Sequence, residues 1–82
     1  AQKRSNPIAL KKKIDEIQSL MDRIERLIQG IDTELSDPDI YTKNPARAAD
    51  LTVARANAQK KLEISEEEWL ALSSELEEIG GV

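Results

Sequence analysis

The chain has 82 residues, a formal net charge of −4, 34% charged residues and 39% in the apolar set Ala, Val, Ile, Leu, Met, Phe, Trp, Tyr and Cys. That length allows one small domain (1–82), and the absence of Cys and His removes disulfides together with the usual zinc, iron and copper ligands. With Tyr41 and Trp69 as the only aromatic residues, the composition suits helices zipped along a seam better than a rounded core, which at this size leans on bulky rings or cross-links.

The first element is the most regular. Leu10, Ile14, Ile17, Met21, Ile24, Ile28, Ile31 and Leu35 follow one another at alternating steps of four and three, the a/d pattern of a coiled-coil heptad. The spacing predicts a helix over about 8–35, with Leu20 and Leu27 widening its apolar stripe. Gly30 lies off the seam and costs about 1 kcal/mol of helix propensity relative to Ala.

Residues 36–45 read as a connection. Pro38 and Pro45 bias the residues before them away from helical geometry, and Asn44 is placed to cap a helix that opens on Pro45. Ile40 and Tyr41 are its apolar members, and one or both are expected to fold over the end of the seam.

The second helix is predicted over about 45–79. Its stripe runs through Ala48, Leu51, Arg55, Ala58, Leu62, Ser65, Trp69, Leu72, Leu76 and Ile79, before Gly80 and Gly81. A connection this short makes the helices antiparallel neighbours. The expected fold is therefore all-α, an antiparallel two-helix coiled-coil hairpin. Matching seam positions pairs Leu35 with Leu51, Ile31 with Arg55, Ile28 with Ala58, Ile24 with Leu62, Met21 with Ser65, Ile17 with Trp69, Ile14 with Leu72 and Leu10 with Leu76. Large faces small at Ile28/Ala58 and Met21/Ser65.

Charge is segregated along the chain. Residues 1–13 carry Lys3, Arg4, Lys11, Lys12 and Lys13 and no acid, whereas residues 63–78 carry seven glutamates and no base. The hairpin brings Lys11, Lys12 and Lys13 alongside Glu68, Glu75 and Glu77, relieving two ends that each oppose their own helix dipole. The lysines either serve only that compensation or contact phosphates, with Lys3 and Arg4 beside them and Lys43 and Arg47 as a smaller set at the tip. No constellation suited to catalysis emerges. Glu66, Glu67 and Glu68 splay around a helix, Asp37 and Asp39 fit turn chemistry rather than a calcium loop, and Thr42, Ser73 and Ser74 have no base to activate them. Neither catalytic nor metal-binding residues are expected. Arg55 reads as structural, its stem packed and its guanidinium reaching outward, and Trp69 reads as a core filler. No apolar run reaches membrane-spanning length, nor does the start look like a secretion signal.

Asp37-Pro38-Asp39-Ile40-Tyr41, then Asn44-Pro45, Leu51, Leu62 and Glu68-Trp69-Leu70 with Leu72 resembles the C-terminal domain of ABC-F ATPases, the Uup type in particular. The likeness spans about residues 10–78, and Trp69 at its distance from Tyr41 is the distinctive part. It implies a non-catalytic, DNA-binding or ribosome- and structured-RNA-contacting coiled coil on a cytoplasmic protein with tandem ABC domains. ATP and Mg would belong to those domains, with no cofactor in this chain, and the isolated hairpin would be monomeric. Ser5-Asn6-Pro7-Ile8-Ala9-Leu10 departs from the family in lacking the aromatic residue that often precedes the first helix. Two other readings stand beside this one. Tyr41-Thr42-Lys43-Asn44-Pro45 is similar to the tip of the helical arm by which some class I aminoacyl-tRNA synthetases, such as the valyl enzyme, contact tRNA. Leu20, Leu27, Ile64 and Leu70 lie beside the seam, where they would give a protein-interaction hairpin its docking face.

Overall fold

A computed structural model describes residues 6–80. Helix α1 (Pro7–Leu35) and helix α3 (Pro45–Gly80) run antiparallel and are joined through a single helical turn, α2 (Ile40–Lys43). The result is a rod of 60 × 18 × 14 Å. At 1.5 Å per residue, the 29 residues of α1 and 36 of α3 are about 44 and 54 Å long, so the rod is one hairpin in length.

Local chemistry sets the ends of the helices. Asn6 caps α1, its Oδ1 accepting the Ile8 amide at 2.8 Å with Pro7 in the first turn, so the helix opens one residue before the periodicity predicts. At the far end the Ser36 amide donates to the Asp32 carbonyl at 2.9 Å. Asp37 then takes the Asp39 amide on its own carboxylate at 3.0 Å, a side-chain turn that reverses the chain at Pro38. Asn44 Oδ1 accepts the Arg47 amide at 3.2 Å and caps α3 at Pro45, as expected from the Asn-Pro pair. The helical turn α2 was not expected. Its hydrogen bonds run from the Lys43 amide to the Asp39 carbonyl and from the Asn44 amide to the Ile40 carbonyl, all inside a connection bounded by two prolines.

The core is the seam itself. Leu10, Ile14, Ile24, Ile28 and Ile31 of α1 are buried, as are Ala48, Leu51, Ala58, Leu62 and Ser65 of α3. Ile24, Ile28, Ala58 and Leu62 form one cluster with Met21 against it, in agreement with the expected register. Ser65, a polar residue in the stripe, is buried where the large Met21 is its seam partner. Towards the open end the α3 side of the seam is shallower: Trp69, Leu72, Leu76 and Ile79 are only half-buried, as is Ile17 of α1, whereas Leu10 and Ile14 stay buried. Of the two apolar residues in the connection, Ile40 is half-buried and Tyr41 is exposed. Ile40 alone covers the end.

Candidate nucleic-acid interface

The candidate residues fall at the two ends of the rod. Lys11, Lys12 and Lys13 occupy the second turn of α1, all three exposed, at the open end. Lys12 and Lys13 border a cleft that is also lined by Asn6, Glu16, Leu72 and Glu75. The expected proximity to the acidic end of α3 is therefore present at Glu75. Yet no ion pair reaches Lys11, Lys12 or Lys13 among the described residues. Consecutive helical residues are turned by about 100°, so the three ammonium groups fan over about 200° of the helix surface. Such a fan cannot converge on one phosphate. Lys3 and Arg4 lie outside the described residues.

At the tip the two candidates differ. Lys43 is highly exposed and sits 3.7 Å from the Asp39 carboxylate one turn earlier, a contact of little energetic weight at such exposure. Arg47 is engaged: its guanidinium donates from Nε to Glu34 Oε2 at 3.1 Å and from Nη2 to Glu34 Oε1 at 2.9 Å. Chain order offers no hint of this fork, because Glu34 and Arg47 belong to different helices and meet only once the chain has turned. Arg47 thus ties the helices together beside the turn, and its charge is locally balanced.

A second fork spans the seam. Arg55 donates from Nε to Asp32 Oδ1 and from Nη2 to Oδ2 at 3.1 Å. The hydrogen bond from Arg55 holds the Asp32 carboxyl below its ordinary range despite an opposing contribution from desolvation, and the Arg55 charge adds to the lowering. Arg55 is held above its own ordinary value, first by the same hydrogen bond. The outward reach expected of this arginine is observed, and its target is the residue after its seam partner Ile31.

Trp69 lines a shallow depression with Gln18, Met21, Asp22, Glu25 and Glu66. Its indole Nε1 is shut off from solvent and has no hydrogen-bond partner among the described residues. Among the described residues no cluster of acidic side chains is suited to a metal ion, and no helix is long and apolar enough to cross a membrane.

A two-helix rod with a capped helical start, an Asx turn and an Asn-Pro restart defines a helical hairpin. The family model for the ABC transporter C-terminal domain matches residues 8–74, most of both long helices and all of the connection. The chain belongs to that family. No curated protein and no solved structure matches it. The match lends nothing to the aminoacyl-tRNA synthetase arm.

Proposed function

We propose that this hairpin is the nucleic-acid-binding C-terminal module of a cytoplasmic ABC-F protein of the Uup type. In this reading DNA or structured RNA, including the ribosome, is the partner. ATP and Mg are handled by tandem ABC domains elsewhere in the parent, and the 82-residue unit works as a monomeric, non-catalytic arm. Lys11, Lys12 and Lys13 make the principal phosphate contacts, with Lys3, Arg4 and Lys43 contributing; Arg47 adds only through the fraction of its surface left by Glu34.

The observation that carries this reading is the exposure of three consecutive lysines that make no ion pair among the described residues, although the hairpin brings them to the glutamate-rich end of α3. Family membership supplies the ABC context. A net charge of −4 disfavours polyanion binding away from the basic side chains.

The test is a titration of the chain with a 20-base-pair duplex at 50 and 200 mM salt, repeated with an RNA hairpin. Three phosphate contacts give a logarithmic salt slope of about −2.7, equivalent to about a 40-fold loss of affinity over that range. Changing Lys11, Lys12 and Lys13 together to Gln flattens the slope and leaves helicity intact. Affinity that ignores salt, or binding that survives the triple change, overturns the assignment.

A further inference from the structure

One flank of the seam is built differently from the rest. The Glu34–Arg47 fork sets its register. Stepping back one heptad along α1 and forward one along α3 places Leu27 opposite Ala54, and a further heptad places Leu20 opposite Lys61. These flanking positions usually carry charges that pair across a coiled coil. Here two of them are leucines, and Ala54 leaves space across from one of them. The outcome is an open groove of about 610 Å³ beside the buried Ile24 and Ala58, with Ile64 on its far wall. Leu20, Leu27 and Ile64 remain 41%, 55% and 56% exposed. Leu70, at 60% exposure, does not line this groove.

The charge on this groove departs from that of the chain as a whole. In a chain with sixteen acids and twelve bases, the groove is lined by Lys61 and by no carboxylate. Lys61 makes no ion pair among the described residues, because the position that faces it is Leu20. The other flank has the opposite character, its depression being lined by Asp22, Glu25 and Glu66. A second copy of the chain docked two-fold onto the groove would bring two Lys61 ammonium groups into one interface. A partner with its own acids meets no such conflict.

We infer that this groove docks an amphipathic helix of another protein segment, with an apolar stripe seated on Leu20, Leu27 and Ile64 and a flanking carboxylate on Lys61. The seven residue steps from Leu20 to Leu27 span about 10 Å of helix, room for two turns of the incoming stripe. The inference does not rest on nucleic-acid binding, since the groove excludes Lys11, Lys12 and Lys13.

The probe is a 21-residue peptide with leucine at heptad positions a and d and glutamate at e and g, compared with the same peptide carrying lysine at e and g. Amide chemical shifts of the isotope-labelled chain report the site, and titration reports affinity. The glutamate peptide is expected to shift Leu20, Leu27, Lys61 and Ile64, and to bind at least tenfold more tightly than the lysine peptide. Lys61→Glu reverses that preference. Leu27→Asp and Ile64→Asp each weaken binding at least tenfold without altering the unfolding transition, because both side chains are more than half exposed. Equal binding of the two peptides, shifts that map elsewhere, or no binding of the glutamate peptide overturns the inference. So does self-association of the chain that Leu27→Asp disperses, or duplex DNA that shifts the groove amides.

Discussion

Arg55 stands at a seam position of α3 and grips Asp32, the residue after its seam partner Ile31 in α1, through a two-pronged hydrogen bond. A cation in the apolar stripe is thereby kept at the edge of the interface, its guanidinium on a carboxylate and its methylene stem left to the seam.

This pair gives stability a defined pH dependence. A carboxylate whose folded-state value is lowered contributes fully above its unfolded range, about pH 4, and loses that contribution as pH falls through the lower folded value. Asp32→Asn is expected to be less stable than the parent at pH 7, and the difference should vanish at the acid end. Urea midpoints at pH 7, 4 and 2.5 measure it. A gap that stays constant across the series would remove Asp32 from the acid response.

Gly30→Ala is expected to stabilise the hairpin. Gly30 is helical, exposed and off the seam, and an added Cβ meets nothing within 4 Å. Recovering helix propensity is worth about 1 kcal/mol, which for a domain of this size raises Tm by about 4–8 °C. Thermal unfolding followed by circular dichroism checks it, and a lowered Tm would mean that the glycine relieves a contact.

Trp69 should respond to its two substitutions in opposite ways. Its ring fills the seam near Met21, but the buried indole N–H has no acceptor among the described residues. Trp69→Phe keeps most of the ring and removes that donor, so stability should hold or rise. Trp69→Ala leaves a cavity and should cost about 2–4 kcal/mol, at or below the usual range for a large aromatic because the residue is only half-buried. Denaturant midpoints of the three proteins decide the matter. A large loss in the Phe variant would show that the N–H has a partner in solution.

The large-to-small match at Ile28 and Ala58 offers a direct test of register. Both are buried in one cluster, so Ala58→Leu overfills it and should cost about 1–3 kcal/mol. Combining it with Ile28→Ala should recover part of the loss, a coupling expected only for residues in contact. Strictly additive losses would place the two side chains apart.

The seam was legible because an unbroken four-three alternation leaves one helical face to bury, and a short connection leaves one way to bury it. The register followed from size matching at Ile28/Ala58 and Met21/Ser65. The helical turn at Ile40–Lys43 was hidden by the prolines on either side, whose restrictions fall on Asp37 and Asn44 and leave the residues between them free to coil. The forks at Glu34–Arg47 and Asp32–Arg55 were not legible, since pairing choices among many exposed charges depend on distances that appear only after folding. For the lysines, the expected neighbourhood is seen in part, with Lys12 and Lys13 sharing a cleft with Glu75. What the sequence could not tell was whether that neighbourhood amounts to contact. Leu20, Leu27 and Ile64 were identifiable as apolar residues beside the stripe, but their union in one groove, and the exclusion of Leu70, required the register of both helices.

The 60 Å axis of the rod also matters mechanically. The start of α1 and the end of α3 lie together at one extremity, and Tyr41 and Lys43 lie at the other. Two helices clamped by side-chain forks near the turn and by an interlocked stripe along their length resist bending. Whatever grips the open extremity therefore steers the far one as an oar is steered by its handle, so that a slight tilt at the grip becomes a wide sweep of the blade.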